Sequence, residues 1–339
     1  MTAQSTDFRA LERKNRADTA RLVAVFIVLF TALGLGFDFV LGNVRLLDSG
    51  GFGGFPFLTI AALIIATIQS IASYYGGASL VLLSTHAQAL TPDTPKHQMV
   101  LDVVREMALA ARMPVPTAYI IADPSPNAFA TGRDPAHSVV CVTQGLVDDM
   151  DREEMQGVLG HEMAHVRDYD IRTMTMIAVL VGGVALLSDF FFRYSLYGGF
   201  GAARRRGGDR DSGEAGIIIA IAVFILAALA PIFAQLLAMA VSREREYLAD
   251  AASVEFTRNP RALLRALEHI AQVETPLANA SRGIAHLFIV NPLQGAGDDE
   301  EGFFNNLLST HPPLSRRIAR LRALAGEAAP APQTPVAGA

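Results

Sequence analysis

The chain has 339 residues, of which 51% are hydrophobic and 18% charged, and its formal net charge at pH 7 is −5. Soluble domains carry about 25% charged residues, so this composition indicates a membrane protein. The acidic balance argues against nucleic acid as a partner. The single cysteine, Cys141, excludes an intramolecular disulfide, and its apolar surroundings SVVCVT predict a small core residue rather than a nucleophile.

Four apolar stretches are candidates for membrane spans: residues 21–42, 49–85, 173–188 and 215–242. A spanning helix needs about 20 mostly apolar residues. The first, second and fourth stretches reach that length, whereas the third is shorter and ends before Asp189. The long, mixed-charge segment that precedes the first stretch predicts an uncleaved anchor rather than a signal peptide.

The distribution of basic residues predicts the orientation of these stretches. Five arginines and lysines lie between residues 9 and 21, and the positive-inside rule places them in the cytosol. Residues 43–56 then lie outside, and residues 86–172 return to the cytosol. The basic run RRRGGDR at 204–210 would face outward if the hairpin 173–242 crosses completely. Either the rule is overridden there, or the hairpin does not fully cross.

Six consecutive regions follow from this pattern. They are a cytosolic arm (1–20), two transmembrane helices (21–85), the first part of a polar domain (86–172), a hydrophobic hairpin (173–242), the second part of the polar domain (243–325) and an Ala/Pro-rich disordered tail (326–339).

Hydrophobic periodicity predicts the elements of the polar domain. Helices are expected at 98–112, 243–256, 261–273 and 315–325, and strands at 118–122, 127–131 and 138–143. A further helix begins at Asp151, whose spacing from Glu154 is typical of a capping box. This helix carries the motif HEMAH at residues 161–165.

HEMAH is the motif that points to chemistry. Histidines four residues apart project from one helix face, about 6 Å apart, so His161 and His165 can bind one metal ion. Glu162 then lies where it can take a proton from the attacking water and deliver it to the leaving amine. The alternative is an amphipathic helix with two surface histidines, but the small apolar neighbours in GVLGHEMAHV favour a buried helix.

A catalytic zinc site keeps three protein ligands, so a third ligand must come from elsewhere. The stretch SREREYLAD at 242–250 offers Glu244, Glu246 and Asp250. Glu246 and Asp250 share a helix face, so one can bind the metal while the other accepts a ring N–H from a ligand histidine. Taken by itself, this stretch is typical of a salt-bridged helix beside a membrane. If the chain between HEMAH and SREREYLAD crosses the membrane twice or not at all, both motifs lie on the same side of the membrane.

Four stretches together resemble the HtpX-like membrane zinc metallopeptidases, relatives of the CAAX prenyl proteases in the gluzincin group. They are PNAFATG (126–132), HEMAHVRDYD (161–170), SREREYLAD (242–250) and STHPPLSRRI (309–318), in the order found in that family. The resemblance covers roughly residues 20–325. It departs from the shortest members in the longer, more charged arm before Arg21.

By this resemblance, three residues are the ligands of one zinc ion per chain: His161, His165 and Glu246. Glu162 is the general base and acid, and Asp250 supports a ligand histidine. Asp170 is expected to have a structural role.

The resemblance also suggests how substrate is held. His311 would lie near the cleft and stabilise the oxyanion, although a histidine beside prolines is more typical of a loop or cap. Asn127, Ala128 and Phe129 would lie on a strand whose exposed edge binds an extended peptide, whereas Asn127 alone is equally typical of a turn. Arg317 matches a family arginine of undefined role.

The sequence therefore predicts an α+β protein, with a multi-span α-helical membrane anchor and a zincin-like catalytic domain whose active-site helix packs on a small sheet with antiparallel edges. The implied function is a zinc endopeptidase of the bacterial inner membrane, with a cytosolic catalytic domain. Its partners would be the lipid bilayer and misfolded or damaged membrane proteins, in quality control or stress response.

Two alternatives remain open at this point. One is a prenyl-protein-processing protease, which would need more spans than four. The other is a metal-stabilised, non-catalytic scaffold that binds partners through residues 193–215.

Overall fold

Helices make up most of the described structure. The computed structural model describes residues 8–40, 42–46, 52–194, 243–273, 277, 284–292 and 312–327. Its helices are α1 (Phe8–Val40), α2 (Phe57–Ser84), α3 (Pro95–Ala110), α4 (Gln144–Asp149), α5 (Arg152–Arg167), α6 (Asp170–Tyr194), α7 (Arg243–Thr257), α8 (Pro260–Ile270) and α9 (Leu314–Leu324). Its strands are β1 (Val44–Leu46), β2 (Phe52–Gly54), β3 (Gln88–Ala89), β4 (Thr117–Ile121), β5 (Ala128–Gly132) and β6 (Ser138–Thr143).

The α+β class is confirmed, and the elements predicted from periodicity are present with ends shifted by a few residues. The predicted helices correspond to α3, α7, α8 and α9, and the predicted strands to β4, β5 and β6. The capping box is also confirmed, because Asp151 accepts a hydrogen bond from the Glu154 N–H at 2.8 Å and Glu154 accepts one from the Asp151 N–H at 2.9 Å. The fourth apolar stretch, residues 195–215 of the Gly/Arg-rich loop and the tail after residue 327 lie outside the described residues.

α1 and α2 expose apolar faces. Both are long and apolar enough to cross a membrane, at Arg13–Phe39 and Phe57–Ser84, yet only 28% and 17% of their most apolar windows are buried. Core helices of soluble proteins are mostly buried, whereas these two helices leave most of their apolar windows exposed. Large side chains such as Val28, Ile68 and Leu83 project outward instead. Exposed apolar surface of this extent indicates association with a membrane.

Asp38, the one charged residue after Arg21 in the first apolar stretch, caps the start of α2. Its carboxylate accepts hydrogen bonds from the backbone N–H groups of Leu58 and Thr59 at 3.0 and 2.8 Å, and from the Thr59 hydroxyl at 2.7 Å. These N–H groups belong to the first turn of a helix and have no partner within it. The connection between α1 and α2 also contains the antiparallel β1–β2 pair, which the sequence did not predict.

The larger sheet has the strand order β3-β4-β6-β5. β4 and β6 are parallel, whereas β3 and β5 pair antiparallel with their neighbours, so both edges are antiparallel as predicted. α5 packs with α3 and α8 in the main hydrophobic core. Cys141 is completely buried, which agrees with the predicted core role, and burial raises the pKa of its thiol.

α6 joins the apolar helices to this sheet. In its first turns the Thr175 hydroxyl hydrogen-bonds the Thr131 hydroxyl at 2.8 Å and accepts from the Gly132 N–H at 3.1 Å. Through the methyl group of the same residue, α6 also approaches α2 closely, since a Cβ on Gly77 would lie 2.7 Å from it. The sheet is therefore fixed relative to α1 and α2 through the start of α6.

Gly157 sets the distance between α5 and α8, which provides a stability test. A Cβ at this position would lie 2.4 Å from the Leu263 nitrogen and 2.6 Å from the Ala262 carbonyl carbon, and backbone atoms do not yield. We expect Gly157→Ala to lower the free energy of unfolding by about 1–3 kcal/mol, as a lower melting temperature in detergent. Gly76→Ala, with no atom within 4 Å, is the matched control. Equal melting temperatures for the two variants would contradict this packing.

Candidate metal centre

α5 places two histidine rings against each other inside the protein. His161 and His165 are 1% and 3% exposed, and their Nε2 atoms lie 3.2 Å apart. Glu162, directly after the first histidine, is equally buried. These side chains sit in the second half of α5, where the capping box and the close contact with α8 fix the helix.

α7 brings a carboxylate to the two rings. Glu246 Oε2 lies 3.6 Å from His161 Nε2, and Glu246 Oε1 lies 3.5 Å from His165 Nε2. Zinc–ligand bonds of about 2.0–2.1 Å in a tetrahedral arrangement separate neighbouring ligand atoms by about 3.3 Å. Each histidine lies near this distance from a different oxygen of Glu246, so the two imidazoles and the carboxylate surround a space that one zinc-sized ion can occupy. Glu244, the other glutamate at the start of α7, is exposed.

A second carboxylate lies behind each histidine. Asp250 Oδ1 is 3.0 Å from His161 Nδ1, and Asp170 Oδ2 is 3.2 Å from His165 Nδ1. A carboxylate that accepts the Nδ1 proton fixes the ring and leaves the Nε2 lone pair for a metal. The sequence suggested this arrangement for Asp250 but only a structural role for Asp170. Asp170 reaches His165 because the backbone at Tyr169 turns through a φ of +63° between α5 and α6.

Arg317, on α9, pairs with two acidic residues of α7. Its guanidinium binds Asp250 through two hydrogen bonds of 2.6 and 3.0 Å, and its Nη1 lies 3.3 Å from Glu246 Oε2. Burial alone would raise the pKa of Asp250, but Arg317 and His161 hold it below its usual value. No role could be predicted for Arg317, because nothing in the neighbouring sequence indicates that this side of α9 is buried.

Burial and neighbouring charges shift the pKa values of three residues in the cluster. Burial raises the pKa of Glu162 to about 8 and lowers that of His161 to about 4. Burial would also lower the pKa of His165, but Asp170 and Glu246 raise it well above its usual value. Glu162 thus tends to keep a proton and His165 to gain one. A divalent cation at the three ligand atoms would favour the deprotonated forms of both residues.

Glu162 also has an oxygen available for chemistry. The Ala130 backbone N–H donates a hydrogen bond to its carboxylate. Within the part of the chain that the structure describes, its Oε2 is buried without any hydrogen-bond partner. Buried polar atoms are rarely left unsatisfied, so such an atom beside three ligand atoms is consistent with a water or substrate group at this position.

The edge of β5 is not exposed at the predicted substrate-binding residues. Asn127, Ala128 and Phe129 are each buried. The segment 284–292 lies against this edge, with the Ile289 N–H donating to the Ala128 carbonyl at 2.9 Å and the Asn127 amide donating to the Val290 carbonyl at 3.0 Å. The expectation of an open edge at these residues is therefore wrong for this conformation. The covering segment comes from far along the chain, which local patterns do not report.

The remaining predicted site residue, His311, lies outside the described residues. The described part of the cluster thus unites His161, Glu162, His165, Glu246, Asp250, Asp170 and Arg317. Two histidines, a glutamate on a second helix and a buried glutamate beside them, joined to exposed apolar helices, define the class of membrane metallopeptidases.

Comparison with known proteins identifies the family. Residues 95–325 match peptidase family M48, and the chain belongs to this family. It is 42% identical over 310 residues to the Protease HtpX homolog of Lactobacillus acidophilus, covering 91% of this chain and 97% of that protein. It is 39% identical to the Protease HtpX homolog of Caldanaerobacter subterraneus, covering 91% and 96%. The sequence resemblance to HtpX-like proteases is thereby confirmed, and the protein is a membrane metalloprotease.

A more distant structural neighbour is the crystal structure of S. mikatae Ste24p. It is 18% identical, with a TM-score of 0.46 over 89% of this chain and 62% of that chain.

The buried position of Arg317 gives a test of the centre. Removing one partner of a buried ion pair destabilises a protein by about 3–5 kcal/mol. We therefore expect Arg317→Gln to lower the melting temperature strongly and to reduce the bound metal, because Asp250 and Glu246 lose their cation. Arg316→Gln, at the exposed neighbouring position, is the control. Melting temperature and metal content equal to those of this control would disprove the role of Arg317.

Proposed function

We propose that this protein is a zinc endopeptidase of the bacterial inner membrane. The observation that carries the proposal is the spacing of the His161, His165 and Glu246 ligand atoms, all within 4.8 Å of one another and all buried. Two imidazoles and one carboxylate are a ligand set typical of catalytic zinc. One such ion per chain would polarise the scissile carbonyl and increase the acidity of a bound water.

Glu162 is the proposed general base and acid. Its buried Oε2 would take a proton from the attacking water and deliver it to the leaving amine. The pKa near 8 in the absence of added positive charge falls when a cation is bound nearby, so the carboxylate would then be ready to accept a proton. Asp250 and Asp170 would hold the two imidazoles in place. His311 is proposed to stabilise the oxyanion.

The peptide substrate is proposed to bind in extended form along β5, at Asn127, Ala128 and Phe129. Residues 288–290 now make the backbone contacts that such a peptide would make, including the hydrogen bond to the Ala128 carbonyl. An extended chain is therefore compatible with this edge, and a substrate must take the place of the covering segment. Main-chain pairing of this kind is tolerant of sequence, which suits a protease that degrades misfolded or damaged membrane proteins.

The catalytic domain is proposed to be zincin-like and to face the cytosol, on a multi-span anchor. Asn15, before the apolar part of α1, donates a hydrogen bond to Asp170 at 2.8 Å. The metal centre therefore lies at the amino-terminal end of α1, which carries the basic residues, and the positive-inside rule assigns that end to the cytosol.

Glu162→Gln tests the proposed chemistry. We expect the purified variant and the wild type each to bind about one zinc ion, while cleavage of unfolded casein falls by about 10²–10⁴-fold, the usual contribution of a general base. Glu153→Gln, in the first turn of the same helix with its side chain 60% exposed, should behave as wild type.

Other outcomes identify a different function. Zinc binding without cleavage by either protein would favour the non-catalytic scaffold. Absence of zinc from both would contradict the metal centre.

The proposed orientation can be tested with cysteine labelling, because the native Cys141 is completely buried. Arg45 is exposed in the β1 strand, and the side chain of Arg105 is 59% exposed on α3. In intact spheroplasts a membrane-impermeant maleimide should label Arg45→Cys, and it should label Arg105→Cys only after lysis. The reverse pattern would place the catalytic domain outside the cytosol.

A further inference from the structure

The amino-terminal turns of α1 extend beyond its apolar part and reach the metal centre. Asn15 is only 3% exposed although it lies near the start of the described chain. Its side-chain amide donates two hydrogen bonds, to the Asp168 carbonyl at 2.6 Å and to Asp170 Oδ1 at 2.8 Å. A buried amide that satisfies both acceptors at the junction of α5 and α6 is a specific contact and not general packing.

Asp170 divides its two oxygens between this contact and the metal centre. Oδ1 accepts from Asn15, while Oδ2 lies 3.2 Å from His165 Nδ1. The amide thus fixes the rotation of the carboxylate, and the carboxylate fixes the rotation of the ring. His165 Nε2 then points to the position that it shares with His161 and Glu246.

A second contact from α1 reaches the same carboxylate. Asp18 Oδ2 lies 3.0 Å from Arg245 Nη2, and Arg245 Nη1 lies 3.4 Å from Asp170 Oδ1. Arg245 directly precedes Glu246 on α7. α1 therefore reaches Asp170, the carboxylate behind His165, by two routes, directly through Asn15 and indirectly through Arg245 of α7.

We propose that Asn15 is a positioning residue of the metal centre, which acts on His165 through Asp170. The amino-terminal segment of α1 then completes the zinc site in addition to anchoring the protein. This inference rests on the proposed zinc function. Loss of a partner that orients a metal-bound histidine typically weakens metal binding by about 10–100-fold. Asn15 contacts His165 only through Asp170, so we expect its loss to weaken zinc binding by a factor at the lower end of that range.

The test uses two variants of the full-length protein in detergent. Asn15→Leu removes the amide at similar volume. Thr19→Val is the matched control, because the Thr19 hydroxyl also joins α1 to α6, through Thr173 at 2.9 Å, but does not contact Asp170. Zinc affinity is measured by competition with a chromogenic chelator. The absorption spectrum of the Co²⁺-substituted proteins reports the geometry of the ligands independently of activity.

We expect Asn15→Leu to bind zinc about 10-fold more weakly and to show a changed Co²⁺ spectrum, while Thr19→Val matches wild type in both. Wild-type affinity and spectrum in Asn15→Leu would overturn this inference and leave the zinc function intact. Equal losses in both variants would also overturn it, because the effect would then come from helix docking. If the wild type itself binds no zinc, the proposed function fails together with this inference.

Discussion

The burial of several carboxylates around two histidines is the constraint on which the rest of this structure depends. The four carboxylates of the cluster are Glu162, Asp170, Glu246 and Asp250. Buried ions are tolerated only when partners satisfy them, and these partners come from separate elements. α9 supplies Arg317, α5 supplies the imidazoles, and α1 supplies an amide. The charge requirement therefore brings together helices that are far apart in the chain.

The features that could be predicted from the sequence are those that nearby residues determine. Helical spacing indicated that His161 and His165 share a face, and the Asp151–Glu154 pair marked the start of α5. The features that could not be predicted depend on contacts between residues far apart in the chain. The contact of Asn15 with Asp170 joins positions 155 residues apart. The segment that covers β5 is similarly distant in the chain, since Asn127 and Val290 are 163 residues apart. Such contacts produce no periodic pattern in the sequence, so they cannot be predicted from composition or from residue spacing.

The anchor and the catalytic domain are less separate than the sequence suggested. The hydropathy pattern divides the chain into apolar stretches and polar domains, which implies a soluble enzyme attached to membrane helices. In the structure, α6 begins at Asp170 beside His165 and continues into the apolar bundle, while its Thr175 binds the edge strand β5. A movement of α1 and α2 would therefore be transmitted through α6 both to the histidine cluster and to the edge strand β5.

The position of Arg317 in the chain has a consequence for biosynthesis. His161 and His165 emerge from the ribosome about 150 residues before Arg317, and α7, with Glu246 and Asp250, also precedes it. Until α9 is made, Asp250 and Glu246 lack the guanidinium that allows them to be buried. A nascent chain thus carries the whole HEMAH motif without a completed centre. The ion pairs that join α7 to α9 can therefore form only after α9 has been synthesised.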